Sequence, residues 1–225
     1  MTTPPDAVDR GTLVFLEDSI VLAMRSEVEQ DSEAIGTLAR ASIMATAMFV
    51  EGCANTCLDM LSLDRQFATD IDRLPTLSKF ELFVRLYRPR AKLERSRHEV
   101  QGLVELKKVR DLFVHPKGQA IIWESWSPEA SSSRSPRTKL TDLPKIASYS
   151  YDEDAVRAMK AAHVFLKYFF SKVCRFRSSH VSALLLSEDR IPNPKEKNAP
   201  YWDRHRHTWL KSKKVDLGYM RIGAL

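Results

Sequence analysis

The chain has 225 residues, of which 44% are hydrophobic, and this length is enough to bury one hydrophobic core. Glycine is scarce, with 7 residues, and apolar positions recur every three or four residues, so an all-α fold is favoured over a sheet. The net charge of +6 lies in residues 190–225, where nine Lys and Arg accompany only three Asp and Glu. Residues before this tail are formally balanced in charge.

Sequence features that direct proteins to membranes are missing. The N-terminal residues lack the basic and apolar regions of a signal peptide. No apolar run approaches the roughly 20 residues that a membrane span needs. We therefore expect a soluble, cytoplasmic protein without a membrane partner.

The first half of the chain predicts three helices. Apolar stripes indicate one helix over about 11–29 and a second, apolar on most sides, over about 32–61. A polar connection over 62–74 then leads to a shorter helix over about 76–87. The second helix has the composition of a central helix.

The second half predicts two further helices, over about 91–114 and 155–176. Between them, strand-like segments over 120–126 and 146–151 flank a Ser/Pro/Arg-rich stretch, 127–137, which we expect to be mobile. A small hairpin or a partly disordered insertion is the expected result.

These elements predict one helical bundle over residues 1–187, with an insertion over 117–150 between its last two core helices. Residues 188–225 would form an irregular, basic C-terminal extension. Nothing in the length or composition requires a second domain.

The sequence offers no signature of a metal or cofactor site. Cys53, Cys57 and Cys174 form neither an even set nor C-x2-C pairs, and we expect buried thiols in a reducing cytoplasm. A Gly-rich phosphate loop and the G-x-S-x-G motif of hydrolases are absent from the sequence, so a small-molecule enzyme lacks support. We therefore expect no cofactor and no metal.

The stretch over 105–118 carries the most informative motif. It places Arg110, Asp111 and His115 at the end of a helix that Pro116 must stop. His115 should therefore be exposed where the backbone leaves the helix. Asp111 shares a helix face with His115 and can orient its imidazole, whereas Arg110 lies about 140° round the helix axis from His115.

This motif resembles a known family signature. The string Arg110-Asp111-x3-His115 is similar to the R-x4-H signature of the HEPN superfamily, whose all-helical members include many metal-independent ribonucleases. The order of helices over about 12–176 is also similar. The resemblance implies a HEPN-like helical bundle and a metal-independent endoribonuclease of a toxin–antitoxin or phage-defence system.

Two upstream stretches add to the resemblance. Residues 45–55 resemble the long family helix that carries Glu and Asn in an apolar run, here Glu51 and Asn55, and residues 75–80 resemble the start of the following short helix. A carboxylate among apolar neighbours is costly unless it is paired, and Arg110 is a natural partner for Glu51. Pairing with another basic residue, or an exposed position, is the alternative.

The residue types at the helix end fit RNA cleavage. An Arg fork can bind a phosphate, and a His with a pKa near 6.5 can take the proton of a ribose 2′-OH or give one to the leaving 5′-oxygen. By resemblance, Arg110, His115 and Asp111 are catalytic, Glu51 and Asn55 support them, and the product is a 2′,3′-cyclic phosphate. The alternative is a surface arginine and a histidine favoured by the helix dipole.

Arg110 and His115 converge only loosely within one copy of the chain. Two copies packed side by side would bring them together around a phosphate. We therefore expect a homodimer that acts on RNA, and an antitoxin or other protein could be a further partner. The alternative function is a non-catalytic HEPN-like dimer that binds nucleic acid or a protein partner.

The tail over 201–211 interleaves aromatic and basic side chains, a composition that stacks on bases and contacts phosphates. Trp202 and Trp209 could instead pack onto the helices of this chain or of a partner. The candidate nucleic-acid-binding residues are Trp202, Arg204, Arg206, Trp209 and Lys211.

Overall fold

The computed structural model describes residues 8–127, 129–188 and 201–224. It is mostly helical, with 62% helix against 7% strand, which confirms the predicted all-α class. The helices are α1 (Thr12–Val28), α2 (Ser32–Asp59), α3 (Arg65–Asp72), α4 (Thr76–Tyr87), α5 (His98–Val114), α6 (Asp152–Lys167), α7 (Ser178–Leu186) and α8 (Arg204–Ser212). The strands are β1 (Ile122–Trp126), β2 (Ser131–Arg134), β3 (Tyr201–Trp202) and β4 (Gly223–Ala224).

The central element is α2, which packs against α1, α4, α5 and α6. The side chain of Asp31 caps its first turn by accepting a hydrogen bond from the Ala34 N–H at 2.8 Å. Inner residues such as Ile43 and Phe49 are completely buried. Of the described helices, only α2 is long and apolar enough to cross a membrane. Here its apolar side is covered by its own chain, as in the core helix of a soluble protein.

Helix α6 and the turns that follow it fill the core with aromatic rings. The helix predicted to continue to about residue 176 ends as an α-helix at Lys167 and continues as a π-helix, Tyr168–Val173. The neighbouring residues Phe169 and Phe170 are both completely buried there, with ring centroids 5.1 Å apart. These two rings belong to the same hydrophobic core as the inner residues of α2.

Two elements between α2 and α5 differ from the sequence prediction. The connection predicted before α4 contains α3, which Asp64 caps and in which only Ile71 is buried. The fifth helix begins later than predicted, at His98, because the backbone before it forms turns. Leu93, which precedes α5, is buried in the core. Its position in the sequence fits the apolar spacing of a helix, although its backbone is not helical.

The insertion between α5 and α6 contains the expected hairpin with a different second strand. β1 pairs with β2, which lies in the segment over 127–137 predicted to be mobile. Pro128 of that segment lies outside the described residues. The strand-like segment over 146–151 holds instead a 3-10 turn, Ala147–Tyr149. The serine-rich composition of β2 gives it little of the β-branched and aromatic character by which strands are predicted.

Polar contacts fix this insertion to the bundle. The Glu105 carboxylate on α5 accepts hydrogen bonds from the backbone N–H groups of Lys139, Leu140 and Thr141 at 2.8–3.2 Å. Arg137 donates to the buried carboxylate of Asp154 at the start of α6. Of the two forms expected for the insertion, the ordered hairpin is the one that the structure has.

The prediction of an irregular extension is wrong for residues 201–224, which we call the C-terminal segment. Asp203 accepts a hydrogen bond from the Arg206 N–H at 2.9 Å and so caps α8. β3 and β4 form a short parallel pair on either side of this helix in sequence. The residues of the segment that join the main core are Trp202, Leu210, Val215, Tyr219 and Met220. Residues 189–200 of the predicted extension lie outside the described residues.

Candidate functional site

Arg110 lies on α5 and reaches across to α2. Its guanidinium donates to Glu51 Oε2 at 3.1 Å, and another of its nitrogens lies 3.3 Å from Asp111 Oδ1. The pair predicted between Glu51 and Arg110 is therefore confirmed. The Arg110 side chain is 24% exposed, so part of the guanidinium remains open to solvent. Ion pairs of this exposure contribute about 0–1 kcal/mol to stability, so the contact serves mainly to orient the guanidinium.

Asp111 is engaged by basic residues of its own helix. Its Oδ2 accepts a hydrogen bond from Lys107 Nζ at 2.9 Å, an i,i+4 pair along α5. Among the described residues, no hydrogen bond joins the Asp111 carboxylate to the His115 imidazole. The orienting contact predicted for Asp111 is therefore not formed within one copy.

His115 ends α5, as the following proline requires. Its backbone N–H closes the last turn on the Asp111 carbonyl at 2.9 Å, and its φ of −120° and ψ of 71° carry the chain out of the helix. The side chain is exposed, as predicted. Its imidazole makes no hydrogen bond to another residue in the described part of the chain.

A cavity of about 310 Å³ opens beside Arg110, between α2, the first turn of α4 and α5. Buried apolar side chains, including Val50, Leu77 and Leu106, form part of its lining. His115 is not among the lining residues. The cavity therefore brings Arg110 together with an apolar recess, while the histidine of the motif lies further along the helix.

The lining of this cavity is positively charged. Its ionisable lining residues are Arg95, Lys107, Lys108, Arg110 and Asp111. Helix α4 begins at the cavity after Pro75, and no side chain caps its first turn. The first backbone N–H groups of a helix have no partner within it, and the helix dipole adds to the positive potential. An anion such as a phosphate suits this arrangement.

Asn55 belongs to a different polar contact. It lies one turn after Glu51 on α2, and its Oδ1 accepts a hydrogen bond from Lys79 Nζ at 2.7 Å. Lys79 also contacts Asp72 at 3.2 Å, and its side chain is only 2% exposed. A buried ammonium is costly without acceptors, so Asn55 stabilises Lys79 and joins α2 to α4. The structure does not bring Asn55 to Arg110.

The tryptophans of the C-terminal segment are bound by α1. Trp202 is 2% exposed, and its indole N–H donates to Glu17 Oε1 at 2.9 Å. Trp209 is half-buried, and its indole N–H donates to Glu27 Oε2 at 2.6 Å. Because Trp202 is buried, its ring is not open to a nucleic-acid base in this structure. Both rings therefore pack onto a helix of their own chain, which was the alternative to binding nucleic acid.

The candidate cations of the same segment differ in their exposure. Arg206 lies 3.3 Å from Asp203 and 3.6 Å from Glu17. Arg204 and Lys211 have exposed side chains. Of the five candidate nucleic-acid-binding residues, these last two therefore present their charge at the surface.

The basic lining of the cavity includes residues that sequence reasoning did not assign to the site. Lys107 and Lys108 precede Arg110 in a Lys-Lys-x-Arg run, which is a visible local signal of a basic surface. Arg95 has no such signal, because the turns before α5 bring it to the cavity. The sequence motif therefore predicted Arg110 as a site residue but did not predict the basic residues that surround it.

The described residues hold no group of three or more His, Cys, Asp or Glu side chains that could bind a metal ion. Cys53, Cys57 and Cys174 are buried free thiols, as predicted. Burial raises the pKa of each of the three thiols, so they stay protonated and unreactive at neutral pH.

Comparisons of the chain with protein-family models, with curated proteins and with solved structures found no match. The resemblance to the HEPN superfamily therefore rests on the residues of the chain itself. Geometry and charge at the end of α5 are the basis on which its function can be inferred.

Proposed function

We propose that this protein is a HEPN-type endoribonuclease that cleaves RNA without a metal ion in the cytoplasm, as part of a toxin–antitoxin or phage-defence system. The observation that carries the proposal is the end of α5, where Glu51 orients Arg110 beside a cationic cavity and an exposed His115 follows about 1.4 turns later. Phosphate binding and proton transfer are the two tasks of metal-independent RNA cleavage, and these side chains supply both.

In the proposed reaction, the Arg110 guanidinium binds the non-bridging oxygens of the scissile phosphate. A neutral His115 imidazole takes the proton of the ribose 2′-OH while the 2′-oxygen attacks phosphorus. The bond between phosphorus and the 5′-oxygen breaks, and an imidazolium gives its proton to that oxygen. The products are a 2′,3′-cyclic phosphate and a 5′-hydroxyl.

A homodimer is part of the proposal. Within one α5, Arg110 and His115 are about 140° apart round the axis and about 7.5 Å apart along it, so one copy aligns them poorly on a single phosphate. Two copies would supply one imidazole to accept a proton and a second to donate one. Val114, next to His115, is 44% exposed and offers apolar surface for such a contact. Light scattering at micromolar concentration tests this, and a strict monomer would contradict it.

A second function is favoured by a different observation. Arg110 already contacts two carboxylates, and Asp111 is paired with Lys107 and not with His115. A site with its arginine so neutralised fits a non-catalytic HEPN-like dimer that binds nucleic acid or a protein partner such as an antitoxin. RNA that is bound and left intact by the wild type would favour this function.

The decisive experiment is digestion of labelled RNA in EDTA by the wild type, His115→Ala and Arg110→Ala. General acid–base catalysis contributes about 10²–10⁴-fold, so we expect His115→Ala to lose activity by that factor. The matched control is His98→Ala, because His98 is an exposed histidine at the opposite end of the same helix. We expect this control to keep wild-type activity.

Melting curves of the three variants complete the test. The exposed His115 and His98 should change stability by no more than about 0.5 kcal/mol when substituted, and Arg110→Ala by about 0–1 kcal/mol because it loses its ion pairs. A loss of activity with melting changed by no more than this assigns the residue to the chemistry. Equal digestion rates for His115→Ala and the wild type would overturn the assignment. Loss of activity in His98→Ala as well would show that the assay reports helix stability and not catalysis.

A further inference from the structure

A second cavity adjoins the one beside Arg110. It has a volume of about 780 Å³ and lies along the turns between α4 and α5, lined by the second half of α4 and by residues 89–96. Arg95 lines both cavities, so they meet at its side chain. The guanidinium of Arg95 makes two hydrogen bonds of 2.7 Å to the Glu81 carboxylate, which hold it between the cavities.

The two cavities form one surface that we call the basic groove. Seven cations line it against three carboxylates. The cations are Arg85, Arg90, Lys92, Arg95, Lys107, Lys108 and Arg110, and the carboxylates are Glu81, Glu94 and Asp111. Because residues 1–189 as a whole are formally neutral, this excess is a local concentration of positive charge.

Three of these cations are unpaired within the described part of the chain. Arg90, Lys92 and Lys108 are exposed and form no ion pair with any residue in the described ranges. Like charges held close together repel one another, and a bound polyanion removes that repulsion. Lys108 lies two residues from Arg110, so the unpaired charge continues from the second cavity to the proposed site of cleavage.

We infer that the basic groove binds the backbone of single-stranded RNA and leads the strand to Arg110. This inference rests on the proposed function and specifies its substrate as a single strand. A duplex is a wide, rigid cylinder that is recognised on its outer surface, whereas a single strand is flexible enough to enter two adjoining cavities. Attack by the 2′-OH on its own phosphate also needs the backbone freedom that a single strand has.

The test measures binding of a fluorescent single-stranded RNA oligonucleotide with 2′-O-methyl groups, which lacks the attacking hydroxyl and cannot be cleaved. The groove variant is Arg90→Ala/Lys92→Ala/Lys108→Ala. The matched control, Arg25→Ala/Lys139→Ala/Lys214→Ala, also removes one arginine and two lysines from exposed positions, all outside the groove. Both variants lower the net charge by the same amount, so a difference between them reports position and not total charge.

We expect the groove variant to weaken binding at least tenfold at low salt, and the control to stay within about twofold. The slope of log K against log salt should become shallower by about 0.7 for each phosphate that the variant no longer neutralises, which is about 2 for three phosphates. A duplex of the same sequence should bind more weakly than the single strand.

The inference would be overturned by equal affinities of the groove variant and the wild type, by equal losses in both variants, or by a duplex that binds as tightly as the single strand. A wild type that does not bind the single strand also overturns it. RNA digestion by the wild type and His115→Ala is a separate measurement. It can therefore support catalysis at the end of α5 even when the binding assay contradicts the role of the basic groove.

Discussion

The end of α5 and the C-terminal segment carry the same kinds of side chain, but the structure uses them differently. Arg206 of the C-terminal segment is engaged by carboxylates, and Trp202 beside it is buried. At the end of α5, His115 is exposed and cations outnumber carboxylates around Arg110. Basic and aromatic composition therefore does not by itself identify a nucleic-acid surface, because the same residue types also attach a segment to its own domain.

The side chains of the C-terminal segment are engaged because α1 supplies their partners. Its carboxylates Glu17 and Glu27 each accept an indole N–H and lie close to a cation of the C-terminal segment. Burial raises the pKa of Glu27, but the hydrogen bonds from Lys213 and Trp209 outweigh this effect, and the net shift of the pKa is downward. The described residues along the basic groove offer fewer carboxylates than cations, so its unpaired charges remain available to a ligand.

The largest effect that can test this comparison is expected at Trp202. Trp202→Ala should lower the free energy of unfolding by about 3–5 kcal/mol, because the variant lacks a buried ring and its hydrogen bond to Glu17. Urea denaturation measures it. The control is Trp126→Ala, since the Trp126 ring is 69% exposed, and we expect a change within about 0.5 kcal/mol. Small losses in both variants would mean that the C-terminal segment is only loosely attached.

A smaller effect is expected from the contact between the C-terminal segment and α6. The Tyr219 hydroxyl lies 2.9 Å from His163 Nδ1, and burial lowers the pKa of His163 to about 3. The unfolded chain binds a proton at this histidine near pH 6.5 and the folded chain does not, so stability falls as the pH decreases below 6.5. Between pH 7 and pH 5 this loss is about 2 kcal/mol.

His163→Gln should remove that part of the pH dependence, because glutamine does not titrate and can still pair with Tyr219. The measurement compares the unfolding free energies of both proteins at pH 7 and pH 5. The remaining acid sensitivity of other groups is common to both proteins. An identical loss in the two proteins would show that His163 gains its proton in the folded state.

The smallest effect is expected from two matched substitutions, one in each region. Glu27→Gln removes the ion pair with Lys213, and Glu51→Gln removes the ion pair with Arg110; both pairs are partly exposed. We expect each to lower stability by about 0.5–1 kcal/mol in thermal denaturation. Only Glu51→Gln should also change RNA cleavage. An equal change in cleavage by Glu27→Gln would contradict the division between the two regions.

Apolar spacing was sufficient to predict the helices that contact the core along their whole length, such as α1 and α2. Apolar spacing failed to predict the backbone where a buried residue does not lie in a helix. Leu93 is buried at helical spacing from Val100, yet the backbone around Leu93 forms turns, and spacing alone reports only the burial. Helix α3 was missed for a different reason, because it has only 8 residues and buries only Ile71, so its apolar side is too short to distinguish it from a polar connection.

At the candidate site, the Glu51–Arg110 pair could be predicted because a carboxylate in an apolar run needs a cation. Asp111 was assigned to His115, but Lys107 stands at the same spacing on its other side and forms the ion pair. The role of Trp202 could not be predicted locally, because its acceptor, Glu17, lies 185 residues away in sequence. Contacts at such separation leave no signal in the surrounding residues.

This separation has a consequence for synthesis on the ribosome. Glu17 meets Trp202 across 185 residues, and Glu27 meets Trp209 across 182. At about 5–20 residues per second, α1 is translated roughly 10–40 s before the segment that covers it. During that time the side of α1 that carries both carboxylates is bare on the nascent chain. A ribosome that stalls before residue 201 therefore leaves this side of α1 uncovered and open to chaperones and proteases.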